Sequence, residues 1–385
     1  MKRALTILGR VLLAIAAVAA MFLLVVRLRH GGGSHLEDRW TTDPALPESA
    51  LETVADLPLP PGNVAVSRSG RVFFTFHPEA GPDVKVAELV DGKPVPYPDA
   101  ASQKPRDDGP SFDTPLALRI DAKDRLWVLD YARHGAGAPK LLAFDLATNR
   151  LVHEFEFPSD VAGLGSMLND CQISPDANRI YIADASIFRN RGAIVTYDVE
   201  RRRARRLLEA HPAVQAMPYV TRVRGRDMVV LGVFTVRPNV DSIALDKRGE
   251  WLYFAPVTST LLYRIRARDL DDESLSNDDL SHRIEVFAEK PMSDGITIDA
   301  QDQVYLSDME HDAIHRLDRQ GELKTLLKSD RIRWPDGFSF GPGGWLYFTC
   351  SSLQEVIFQP RSNVDAHAPY QIFRFKPGTD GVPGQ

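Results

Sequence analysis

The chain has 385 residues, a net charge of −6, 44% hydrophobic and 25% charged residues, the balance of an ordinary globular protein. An acidic whole gives no footing for nucleic acid, and two cysteines cannot build a disulfide framework. Length alone admits two domains, but the repeats described below argue for one.

Lys2 and Arg3 precede an apolar stretch from Ala4 to Val26, broken only by Arg10 and closed by Arg27-Leu28-Arg29-His30. That stretch is long enough to span a bilayer, so residues 1–30 read as an uncleaved transmembrane anchor. A secretory signal cleaved after Ala17-Val18-Ala19 is the rival reading. Either one exports the rest of the chain, anchored and facing the periplasm or cell exterior, or secreted. Residues 31–49, opening with Gly31-Gly32-Gly33-Ser34, read as a flexible linker, and residues 50–377 as a single folded unit. Leu51 to Asp56 is a strand candidate ahead of the first repeat. Together with Tyr370 to Phe375 it is expected to complete the last repeat and remove an open edge.

Six segments then follow one pattern, beginning at Asn63, Leu118, Cys171, Ser242, Gly295 and Gly337. Each alternates apolar residues, turns at Gly, Asp or Asn, and resumes with a second apolar run, as antiparallel hairpins do. The residues before the turns (Ser67, Asp121, Ser174, Asp246, Asp299, Gly341) are spaced by 54, 53, 72, 53 and 42. Such spacing predicts an all-β, six-bladed β-propeller, which stands behind the N-terminal helix and is expected to be a monomer. Cys171 and Cys350 fall in opposite blades and are expected to be free, buried thiols.

Five residues ahead of each turn marker stand Gly62, Leu116, Asn169, Asp241, Asp294 and Asp336, with Asn63 and Asp170 beside the column. All are aimed at one mouth of the central channel. Aspartates also cap turns, but carboxylates this close repel unless a cation, a ligand amine or a proton relieves them. Oxygen donors alone suit a hard divalent ion such as Ca²⁺ or Mg²⁺, for which Asn169, Asp241 and Asp294 are the candidate ligands. The other ends of the hairpins supply a rim, including His77 to Glu79, Tyr131 to His134, Ser186 to Phe188 and Ser351 to Gln354. There Glu310 and His311 are the candidate proton-transfer pair. His311 and His315 are four apart, but on a strand hairpin that spacing does not place both on one metal. The run Arg201 to Arg206 reads as a solvated outer turn, or else as an anionic-lipid contact. The chain carries no Gly-rich phosphate loop, Cys/His zinc cluster or G-x-S-x-G elbow.

The stretches PPGNVAVSRSGRVFFTFHPE (60–79), SMLNDCQISPDANRIYIADAS (166–186), GEWLYFAPVTSTLLYRIRARDL (249–270) and RWPDGFSFGPGGWLYFTCSSLQ (333–354) resemble the major royal jelly/Yellow protein family. The resemblance implies a small-molecule pocket at the channel, and in amine-binding members the corresponding positions are Asp336, Ser351 and Leu353. Ser351-Ser352 stands where those relatives carry a Ser-Asn pair. A more distant resemblance is to the SMP-30/gluconolactonase family, whose metal is held by a first-blade Glu with Asn and Asp from later blades. Asn169 and Asp294 match that set, Asp241 replaces an Asn, and Gly62-Asn63 replaces the Glu.

Three readings follow. The first is an exported binding propeller for a small aromatic or amine ligand, held by Asn169, Asp241, Asp294, Asp336, Ser351 and Leu353, with tautomerase-like chemistry as its enzymatic form. The second is a divalent-metal-dependent lactone hydrolase, and the third a non-catalytic surface scaffold. The expected partners are a small-molecule ligand and, through the N-terminal helix, a membrane.

Overall fold

The computed structural model describes residues 2–106 and 109–385. Six four-stranded antiparallel sheets surround a central channel. Their inner strands are Pro61–Val66, Pro115–Ile120, Leu168–Ile173, Val240–Leu245, Ile296–Ile298 and Pro335–Gly341. Each inner strand packs against the next, and the sixth against the first. Glu52–Leu57 pairs antiparallel with Tyr370–Phe375, so the sixth blade is built from both ends of the fold and the ring closes without a free seam.

The alternation in the repeats is used on both faces, because every blade lies between two others. In the first inner strand Ala65 packs toward Leu118, Leu126 and Phe144 of blade two. Its neighbours Val64 and Val66 pack instead toward Tyr347, Tyr370 and Ile372 of blade six. No blade could bury both surfaces alone, so each is stabilised by its neighbours. Cys171 and Cys350 are free and buried.

Three segments depart from the sequence expectations. The long 72-residue spacing holds an insertion between blades three and four. It contains two small hairpins, Arg222–Val223 with Arg226–Asp227, and Val229–Val230 with Phe234–Thr235. The segment read as a flexible linker is docked. Ala45 and Leu46 donate backbone hydrogen bonds to Thr325 and Leu326 at the edge of blade five, and the Ser329 hydroxyl donates to Glu48 at 2.6 Å. Glycine opens that segment, but an exposed sheet edge supplies partners for the rest.

The arginine run is a solvated outer turn at its start, where Arg201 and Arg202 are exposed ahead of the outer strand Arg203–Leu207, and only its end is enclosed. Arg206 is buried against Asp184 and Glu209, and Arg201 and Arg203 pair with Glu273. At the end of the channel where the hairpins turn, residues 379–385 lie across the inner strands. Ile120 and Phe340 donate backbone hydrogen bonds to Gly384 and Gln385.

The N-terminal helix Lys2–His30 includes a segment, Ile7–His30, whose most apolar 18-residue window has mean hydropathy 2.8 and which is long and apolar enough to cross a membrane. A signal sequence has the same character.

Candidate functional site

The column of polar residues owes its direction to irregular backbone. Pairing with the second strand shifts register at Pro61/Val64, Pro115/Ala117, Leu168/Asp170, Val240/Ser242 and Pro335/Phe338. These bulges contain Asn63, Leu116, Asn169, Asp241 and Asp336. A bulge adds a residue to one strand and re-aims its side chain, so each of these residues turns into the channel mouth rather than into a blade interface. Glycine permits the closest approaches. A Cβ on Gly295 would lie 1.8 Å from the Asp336 carbonyl oxygen, and one on Gly337 would lie 2.7 Å from the Asn63 Cα.

An open cavity of about 1030 Å³, solvent at its entrance included, occupies this mouth. Its polar lining includes Asn63, Arg119, Asn169, Asp170, Asp241, Asp294 and Asp336, with His77, Glu79 and His134. Phe188, Phe234, Trp334, Phe338, Leu353 and Phe358 contribute apolar surface. The Arg119 guanidinium is buried, donates to Asn63 Oδ1 at 2.7 Å and pairs with Asp170 at 2.8 Å. The Asn169 amide donates to Asp241. Trp334, held at a left-handed φ of 52°, donates its indole N–H to Asp294 Oδ2 at 2.6 Å.

Among the described residues Arg119 is the single lysine or arginine in the lining, against the carboxyls of Glu79, Asp170, Asp241, Asp294 and Asp336. The result is a site short of positive charge. Burial, then the charges of Asp294 and Asp336, hold the Asp241 carboxyl well above the usual range. Asp336 is raised likewise by enclosure and by Asp294. Asp294 is pushed up to about 6 by burial, against the opposing Trp334 hydrogen bond and the charge of Lys290. Burial lowers Lys290 itself to about 7, opposed by Asp308 and Asp294. Burial raises Asp170 too, with Arg119 opposing.

Of the residues singled out from sequence, Asn169, Asp241, Asp294, Asp336 and Leu353 line the cavity. Ser351 lies behind it, its N–H and hydroxyl both directed at the Trp334 carbonyl. Its hydroxyl also favours the ionised form of Asp336.

Glu310 and His311 do not line the cavity. Glu310 accepts the Arg222 N–H at 2.7 Å, and the His311 ring lies between Asp308 at 2.9 Å and Asp38 at 3.5 Å. Despite the strand geometry, His311 and His315 do converge, both onto Asp308. This is a repeated structural device. Asp130, Asp184 and Asp308 end the second strands of blades two, three and five, are fully buried, and accept backbone N–H groups of the rim turns. Burial opposes ionisation of Asp308, but hydrogen bonds from His311 and His315 keep its carboxyl low.

Sequence reasoning missed Arg119, Trp334 and the insertion. Arg119 left a signal, a charged residue at an otherwise apolar inner-strand position. Phe234 reaches the cavity only through the insertion, and no local pattern announces that.

Asn169, Asp241 and Asp294 already hold partners that a divalent ion would have to displace. Asn169 turns its amide nitrogen to Asp241, Asp294 is held by an indole, and Arg119 places a fixed positive charge beside Asn63 and Asp170. No group of three His, Cys, Asp or Glu stands at metal-holding distance among the described residues.

Closed ring, bulged inner strands and a polar-floored, apolar-walled pocket define a six-bladed propeller with a cavity at one channel mouth. The chain belongs to the major royal jelly protein family, whose family profile matches residues 114–330. It is 29% identical over 215 residues to major royal jelly protein 1 of Apis mellifera, covering 51% of this chain and 46% of that protein. Major royal jelly protein 6 of the same organism is 31% identical over 161 residues, 38% of this chain and 34% of the relative. The matched stretches thus span half or less of these relatives' length.

Solved structures share the fold. A luciferin-regenerating enzyme superposes with TM-score 0.56 at 11% identity, covering 87% of this chain and 97% of the other. A gluconolactonase from Xanthomonas campestris does so with TM-score 0.54 at 13% identity, covering 85% and 89%. The calcium-binding protein regucalcin from Agrobacterium tumefaciens gives 0.53 at 15%, covering 86% and 96%.

Proposed function

We propose that this propeller is exported and binds a small organic cation, an aromatic or aliphatic amine with an apolar body, at the channel mouth. One observation carries the reading: Asp170, Asp241, Asp294 and Asp336 face a cavity in which Arg119 is the single lysine or arginine among the described residues, beneath apolar and aromatic walls. An ammonium group among these carboxylates supplies the missing charge, and the aromatic faces favour both its cation and its body. Leu353 and the Phe side chains select the body, while Asn169 and Trp334 fix the carboxylates.

Asp294, with a pKa of about 6, is placed to take up and return a proton near neutral pH. That is the demand a tautomerisation makes of its base. It makes Asp294, rather than Glu310 or His311, the residue to test for catalysis.

The experiment is calorimetric titration of the full chain with 2-phenylethylamine and tryptamine, with Ca²⁺ as the competing probe. Saturable arylamine binding that is lost in Asp241→Asn and Asp294→Asn supports the reading. Binding of Ca²⁺ in place of amines, abolished by the same variants, would instead favour the lactone-hydrolase chemistry.

A further inference from the structure

The N-terminal helix ends on the cavity mouth. Its residues are exposed from Ile7 to Val25, and contact with the propeller begins only in the last turn. Arg27 donates to the Gly232 carbonyl at 3.2 Å. Arg237 donates to the carbonyls of His30 and Gly31 at 3.1 and 3.2 Å, and the Thr235 hydroxyl donates to Gly32 at 3.0 Å. Ser34 and Val220 continue the docking through backbone hydrogen bonds. The junction therefore has little slack.

It is also continuous with the pocket. The His30 ring packs on Phe234 at 5.2 Å, and Phe234 packs on Phe188 at 5.9 Å and Phe358 at 6.3 Å. All three phenylalanines line the cavity.

Large apolar side chains stand exposed around this junction. Leu231 is 84% exposed, Leu164 78%, Phe358 56% and Phe188 48%. Leu164 belongs to the same rim: its neighbour Gly165 hydrogen-bonds His134, whose ring packs on Phe188 at 4.7 Å. Exposed apolar clusters of this kind mark an interaction surface.

We propose that the occupant is the lipid bilayer itself, so that the propeller sits mouth-down on the membrane surface. The inference rests on residues 1–30 being retained as an anchor. A helix spanning the hydrocarbon core delivers His30 to the interface, and the docked junction then holds the mouth against the headgroups. Phenylalanine and leucine side chains enter the outer part of the acyl layer. Arg27, Arg29 and His30 in the last turn, with Arg237 beside them, meet the phosphates. A ligand then reaches the acidic floor by way of the headgroup layer. The favoured class is an amine that partitions into membranes, with its charge at the interface and its apolar body among the lipids.

The test uses the full chain reconstituted in phosphatidylcholine/phosphatidylglycerol vesicles. Single cysteines are placed at Leu231, Phe358, Phe188 or Leu164 and labelled with a fluorophore. Lys123→Cys, in a hairpin turn at the far end of the channel, serves as the aqueous control. Cys171 and Cys350 are buried and remain unlabelled in the folded protein. Quenching by nitroxide-bearing lipids should be several-fold stronger at the rim positions than at 123.

Equal quenching at rim and control, in protein that stays on vesicles through an alkaline carbonate wash with residues 1–30 present by mass, overturns the docking while leaving the anchor intact. Release by the wash, or loss of residues 1–30, overturns the anchor and the docking together. All rim positions are exposed, so failure of one variant to fold leaves the others to decide.

Discussion

The inner strands carry aspartates at both ends, and the two sets live under opposite conditions. At the turn end, Asp121 accepts from the N–H groups of Lys123 and Arg125, the Arg125 guanidinium and the Trp127 indole, all within 3.0 Å. Asp299 accepts from Gln301 and Gln303 N–H and the Tyr305 hydroxyl. Asp246 does the same with Arg248 and Glu250. At the mouth, Asp241, Asp294 and Asp336 have few donors and oppose one another. Donor supply, not residue type, separates the well-partnered aspartates of the turns from the poorly partnered ones of the mouth.

The largest effect on stability should come from Asp121→Ala. It orphans a buried indole N–H and part of a guanidinium, a loss of about 2–3 kcal/mol. Urea unfolding should show this loss, while arylamine affinity of the folded fraction stays unchanged. A variant that lost affinity instead would dissolve the contrast between the two ends.

Asp241→Asn and Asp294→Asn should do the reverse, with arylamine binding lost and stability near pH 7 kept or raised. The pH dependence sharpens this. Asp294 is raised to about 6 in the folded protein, above an ordinary value of about 4. Between those values the native state holds more protons than the unfolded chain, so the contribution is fully present below about pH 4 and is lost as pH rises through about 6. Urea midpoints of the apo protein should fall across that window, less steeply in Asp294→Asn. Saturating amine should flatten the fall in the native sequence.

A smaller effect is expected for Trp334→Phe. Loss of the indole donor removes stabilisation of the ionised form and should raise the Asp294 pKa by about one unit, read by carboxyl NMR titration. Smallest of all, Glu310→Gln should change arylamine affinity by less than about 0.5 kcal/mol. A large change there would return the rim pair to the site.

The propeller was legible because its signal is local and repeated. Alternation, turn residues and spacing each recur in every blade, and six copies leave little freedom in how they stack. The polar column was legible for the same reason, since Asn169, Asp241, Asp294 and Asp336 keep one offset from one turn. Glu310 and His311 lie outside the cavity because a rim turn can lean toward or away from the axis. The direction is set by a buried partner, Asp308, seven residues or fewer away in sequence but decisive only once folded.

By itself, then, the sequence determined the number of blades, closure by Glu52–Leu57 on the last blade, the position of the apolar helix and the shared level of the acidic residues. All of these follow from short-range periodicity. Only tertiary structure decided that bulges turn that level into the channel, that Arg119 and Trp334 complete the floor, and that an insertion carries Phe234 from the helix end to the cavity. Such relations join residues tens to hundreds of positions apart. Their free energy depends on which donors, charges and apolar faces meet, and a linear pattern does not record that meeting.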